Sequence, residues 1–273
     1  MTAVTIRERA GRAAGGGTAL RSFEYWLFKY RRTWRGSLVS TFATPTLYLA
    51  AMGVGLGSLV NHSAGAARLG GVGYLSFIAP GVLAAAAMQI AAGEATYPVW
   101  VSIKWLKTYH AMLATPLGVQ DVLVGHLAWM AVRLTITCTA FLAVLGLFGT
   151  LHSGLAVLAL PAAILTGLAF AVPITAYAAA QVNDTGFALL YRLGIVPLFL
   201  FSGVFFPIDR LPAVLRPVAY ATPLWHGVDL CRGLTLGRGL TPGGAAVHVV
   251  YLTVLTLGGF AAARVTYRRA LVT

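Results

Sequence analysis

The chain has 273 residues, 58% of them hydrophobic and only 10% charged, well under half the charged share of an ordinary soluble domain. A water-soluble globular fold is excluded, and a lipid bilayer is the main solvent. The formal charge of +13 comes from basic residues near the chain ends and beside apolar runs, where anionic phospholipid accounts for them without nucleic acid.

Residues 1–17 read as a flexible cytoplasmic tail. The first 35 residues hold eight Arg or Lys and no apolar core of a secretory signal, so no cleavable signal is expected. Over 18–35, Phe23, Trp26, Leu27, Tyr30 and Trp34 recur at helical spacing, while Arg21, Lys29 and Arg32 project the other way. That pattern predicts an amphipathic interfacial helix lying flat on the inner leaflet with its aromatics in the headgroups.

Between Arg35 and Arg68 no charge occurs, and a first span is expected at about 37–60. A second follows at about 74–99, with Pro80 and Gly81 expected to kink it near its outer end. A polar interval at 100–121 carries Lys104, Lys107, His110 and Asp121. Further spans are expected at about 123–148, 154–180, 186–206 and 241–263. With both termini cytoplasmic, thirteen basic residues fall inside and five outside, namely Arg68, Arg210, Arg216, Arg232 and Arg238, in keeping with the positive-inside bias. Arg133 either snorkels to the inner interface, the plainer reading, or lies deep in the third span with Glu94 of the second as its partner.

Residues 201–234, FSGVFFPIDRLPAVLRPVAYATPLWHGVDLCRGL, interrupt this rhythm. Four prolines remove backbone donors, and only 12 uncharged residues separate Arg216 from Asp229, so the segment is not expected to cross. Thr222 followed by Pro223 marks a helix start running to about Gly237. The region 207–240 is expected to dip into the outer leaflet as a pair of short helices and return. His226 and Asp229, three apart, share one helix face; a hydrogen bond fixing that helix is the plainer role, and a proton-handling pair the sharper one.

This stretch resembles the terminal signature of ABC-2 type transporter permeases: an F-SG-FFP block, then LP, then P-L-x-H-x-V-D-x-x-R. KTYHAMLATPLGVQDVLVGHLAW at 107–129 resembles the cytoplasmic loop of the nodulation-type and daunorubicin-resistance-type branch. The resemblance implies an all-α integral membrane protein, with 36–273 as its transmembrane domain and six transmembrane helices. It also implies an N-terminal amphipathic interfacial helix, a cytoplasmic coupling helix within 100–121 and an extracellular re-entrant pair between spans five and six.

It further implies partners: a second permease copy or a sister permease, and two copies of a P-loop nucleotide-binding ATPase subunit that uses ATP and Mg. The coupling match falls on Lys107, Thr108, Tyr109, His110, Thr115 and Pro116, with Lys104 beside them. The outer match falls on Ser202, Gly203, Phe206, Pro207, Leu211, Pro212, Pro223, His226, Asp229 and Arg232.

No catalytic constellation is seen. There is no G-x-x-x-x-G-K-[ST], no HExxH and no G-x-S-x-G, so no cofactor, metal or ATP is expected on this chain. Cys138 and Cys231 form no CxxC pair and read as packing residues. The expected function is the permease subunit of an exporter in the bacterial cytoplasmic membrane, moving an amphipathic drug, lipid or glycolipid. The alternative is a proton-coupled secondary transporter, for which Glu94 is the one intramembrane acid.

Overall fold

A computed structural model describes residues 16–57 and 72–272. Residues 1–15 of the tail expected at 1–17, the end of the first span and the loop holding Arg68 lie outside the described residues, and Gly16 and Gly17 open the first helix. Among those described there is no strand.

Helix α1 (Gly16–Ala50) continues through a π-helical turn, Ala51–Leu56. The expected interfacial helix and first span are thus one run, without a break at Arg35. Next come α2 (Tyr74–Ala95), α3 (Tyr97–Lys104), the short α4 (Thr108–Leu113) and α5 (Val119–Leu147). A 3-10 turn (Gly154–Leu158) leads into α6 (Ala159–Ala180). Then α7 (Thr185–Leu189) and α8 (Val196–Phe201) flank a π segment, Leu190–Ile195. Pro197, the second residue of α8, has no N–H to give the preceding turn. After α9 (Arg216–Tyr220) and α10 (Pro223–Leu236), α11 (Pro242–Val272) ends the described chain.

Among the described residues, four helices are long and apolar enough to cross a membrane: Tyr74–Lys104, Val119–Leu147, Gly154–Ala180 and Pro242–Val272. The fifth expected span is a shorter apolar helix, Thr185–Phe201. Helix α2 runs through Pro80, where a kink is expected, and is interrupted at Thr96. There the Thr96 hydroxyl donates to the Ala92 carbonyl at 2.8 Å, and Pro98 cannot continue the hydrogen-bond ladder. Gly81 serves packing: a Cβ on it would lie 3.1 Å from the Val204 carbonyl and 3.2 Å from the Arg232 guanidinium.

Small residues let the helices approach closely. A Cβ on Gly259 of α11 would lie 2.7 Å from the Pro173 ring of α6, and one on Gly167 of α6 2.6 Å from Leu134 of α5. Helix α1 runs beside α5 in the same direction, with Thr18 donating to Asp121 at 2.9 Å and Ser22 against Gly125. Further along, Trp26 stacks on His126 at 4.2 Å, and Tyr30 meets Trp129 at 5.2 Å.

This corrects the expected flat-lying helix. Trp26 is buried, and Phe23 and Tyr30 pack on the core instead of facing headgroups. An aromatic stripe suits a protein groove as well as an interface. Of the stripe only Leu27 and Trp34 stay exposed.

Candidate functional site

Two elements outside the long helices stand at opposite ends of the bundle. At one end is the turn between α3 and α5. Lys107 adopts a left-handed φ of 52°, an unusual conformation for a residue with a Cβ, and it folds α4 back toward α5. Tyr109 on α4 is fully buried, and its hydroxyl pairs with His126 Nδ1 of α5 at 2.6 Å. Its ring meets Tyr267 near the end of α11 at 5.7 Å and Trp26 of α1 at 6.5 Å. One side chain thus joins the short helix to three long ones.

Being buried, Tyr109 offers no surface to a partner. Among the other coupling candidates, Lys107, Thr115 and Pro116 are exposed, while Lys104, Thr108 and His110 are half-buried. The largest exposed apolar surface here belongs to Trp105 and Leu106, exposed by 73% and 65%. Sequence reasoning passed over both because an apolar pair beside a span reads as its continuation. Burial, reinforced by Lys107 and Lys104, lowers the His110 pKa below its ordinary value. The imidazole is therefore neutral at pH 7, and the lysines carry the charge of this turn.

At the other end the proline-rich stretch replaces helical hydrogen bonds with side-chain ones. Arg216 donates to the carbonyls of Leu211 and Asp209 at 3.0 and 2.7 Å. Gly203 has φ +78°, open to glycine at no steric cost. Phe206 packs on the cluster of Ile208, Leu211 and Ala219, with Pro207 and Pro212 on either side of the 3-10 turn Ile208–Arg210. Thr222 caps α10 by accepting from the Trp225 N–H at 3.3 Å, and it also pairs with Ser202 at 3.0 Å. The helix ends at Gly237 with φ +68°, the left-handed stop that glycine permits.

Helix α10 is inclined to its neighbours. Its end lies by Ser153, before α6 begins, whereas Gly227 presses on Thr166, seven residues into α6 and so about 10 Å along it. The helix start therefore lies deeper than its end. Arg232 fastens it there, donating to the carbonyls of Phe77 (3.1 Å) and Gly203 (2.8 Å), with the Phe77 ring 3.9 Å from its guanidinium carbon.

His226 and Asp229 do not pair with each other. His248 of α11 stands between them, its Nδ1 2.8 Å from His226 Nδ1 and its Nε2 3.1 Å from Asp229 Oδ2. An ionised Asp229 only accepts, so His248 donates to it through Nε2. The direction of the Nδ1–Nδ1 bond between His226 and His248 follows from which of the two rings carries its proton there. Burial first, and His248 second, push the His226 pKa down to about 4, while Asp229 opposes the shift. Tyr251 stacks on His226 at 3.9 Å and donates to the Ala221 carbonyl. His248 and Tyr251 were invisible in the signature because they belong to the next helix.

Arg133 and Glu94 form an ion pair at 3.1 Å, and the guanidinium lies 4.9 Å from the Tyr30 ring centroid. Glu94, the partner named for Arg133 in the second span, is thus in contact with it.

A family model described as ABC-2 type transporter matches residues 23–236, from the aromatic stripe of α1 to the last residue of α10. Nodulation protein J of Rhizobium leguminosarum bv. viciae is 33% identical over 210 residues, which is 74% of this chain and 79% of that protein. Nodulation protein J of Bradyrhizobium diazoefficiens is 31% identical over 254 residues, covering 90% of this chain and 94% of that protein. The match takes in both end elements and the helices joining them, and the chain therefore belongs to the ABC-2 type transporter family, as a multi-pass membrane permease of an ABC transporter.

Proposed function

We propose that the chain is the membrane half of an ATP-driven exporter with six spans and both termini cytoplasmic. Two copies of a P-loop subunit hydrolyse MgATP, and a second permease copy or a sister permease completes the pathway. The single supporting observation is the turn at 105–109, where exposed Trp105 and Leu106 are backed by Tyr109, buried among α1, α5 and α11. A partner gripping the exposed pair moves a rigid unit, so closure of the ATPases is carried into three helices at once.

Helix α10 lids the path on the far side, and Arg232 and the His226–His248–Asp229 chain set its tilt. The apolar helices suit an amphipathic cargo such as a drug, lipid or glycolipid. A proton-coupled mechanism is disfavoured because Glu94, the acid it would use, is engaged by Arg133.

The test is co-purification of the permease with a P-loop ATPase subunit from the same cell, together with ATP-dependent cargo export. Trp105→Ser with Leu106→Ser leaves the fold intact, since both side chains are exposed already. Loss of one aromatic anchor in an interface weakens binding at least about tenfold. Undiminished association in the double variant, or full export by the permease without any ATPase, would refute the proposal.

A further inference from the structure

A cavity of about 410 Å³ lies between α1, the bend joining α2 to α3, and α5; neither α4 nor α10 lines it. Its walls are aromatic, from Trp26, Tyr30 and Trp129, and its charges are Lys29, Glu94 and Arg133. The break at Thr96 carries Pro98 into the wall.

We propose that this cavity holds the anionic headgroup, a phosphate or carboxylate, of an amphiphile drawn from the inner leaflet. The leaflet assignment rests on the orientation given under Proposed function. Charge is the first argument. Two cations face one acid, and that acid is already engaged by Arg133 at 3.1 Å. Lys29 Nζ sits 5.0 Å from the Trp26 ring centroid and makes no ion pair among the described residues. The cavity therefore carries one surplus positive charge, which an anion neutralises. Basic pockets between membrane helices on the cytoplasmic side are where such headgroups lodge.

The donor set gives a second argument. Lys29 and Arg133 bring only donors to the cavity, and a carboxylate or phosphate oxygen accepts from them in charge-assisted bonds. A quaternary ammonium is drawn to aromatic faces, but here it would meet like charge. Thr33 and Gly36, both exposed, form the open side, through which an acyl chain remains in lipid.

The test uses the full-length permease in dodecyl maltoside, with dodecyl phosphate as probe and tryptophan emission and melting temperature as readouts. A saturable emission change and a raised melting temperature are expected. Lys29→Gln, at an exposed position, weakens apparent affinity at least about tenfold without altering the melting temperature of the probe-free protein. Lys29→Arg retains binding.

Competition by phosphatidylglycerol in nanodiscs, with none from phosphatidylcholine, assigns the headgroup to a membrane lipid. Competition only by a candidate cargo that carries an anionic group assigns it to transport. Saturation by inorganic phosphate at the same concentrations as dodecyl phosphate overturns the amphiphile. An equal response to dodecyltrimethylammonium, or an unchanged titration in Lys29→Gln, overturns the site. No ATPase takes part, so failure here leaves the coupling proposal standing, and failure of coupling leaves this binding standing.

Discussion

Gly227→Ala tests whether α10 is seated against α6. An added Cβ would fall inside the contact envelope of both γ atoms of Thr166. Thr166 cannot readily turn aside: β-branching leaves it few rotamers in a helix, and its hydroxyl donates to the Ala162 carbonyl at 2.8 Å. Helix α10 cannot simply back away, because Arg232 ties it to the carbonyls of Phe77 and Gly203.

Replacing an interior helix glycine by alanine gains up to about 1 kcal/mol from propensity, while overpacking a tight contact costs about 1–3 kcal/mol. The contact outweighs propensity, and a net loss of up to about 2 kcal/mol is expected. Thr166→Gly removes the Cβ and both γ atoms, all under 3.0 Å from the added Cβ, so the double variant should be no less stable than Thr166→Gly alone, with a coupling of about 1–3 kcal/mol. The assay is a double-mutant cycle on thermal unfolding of the full-length permease in dodecyl maltoside. If Gly227→Ala is stabilising, or if the two substitutions add independently, α10 does not lie on α6.

Two further outcomes are expected. Glu94→Gln deprives a largely buried Arg133 of its carboxylate and should cost about 1–3 kcal/mol. Adding Arg133→Gln should recover most of that loss in a thermal melt, and a double variant no more stable than Glu94→Gln would contradict the pairing. For His226, burial holds the folded pKa at about 4 against an ordinary 6.5. Between those values the unfolded chain binds a proton that the folded chain does not, so stability is full above 6.5 and falls as pH drops toward 4. His226→Gln should flatten that part of the melting-temperature profile, and an unchanged profile would remove His226 as its source.

Much was legible in the chain itself because bilayer chemistry writes long signals. Charge-free runs located α2, α5, α6 and α11, since a helix that satisfies its own backbone is the available way through hydrocarbon. Thr222, Pro223 and Gly237 marked α10 to within a residue, because capping is a local interaction between neighbours in sequence. The proline-rich break likewise announced a segment of short helices, Ile208–Arg210, Arg216–Tyr220 and Pro223–Leu236.

Tertiary structure decided what periodicity leaves open. The stripe of Phe23, Trp26 and Tyr30 fits headgroups and a protein groove equally well, and only the α5 surface beside it, with Gly125 making room, settled which. Tyr109 carried a matching motif position, yet its place in the core follows from side chains 17 and 158 residues away along the sequence, His126 and Tyr267. His248 entered the outer cluster for the same reason, since a hydrogen bond is set by distance in space and helical spacing reports only neighbours on one helix. Local rules thus determined which segments are helical and where they stop, and the packing of distant helices determined which polar groups meet.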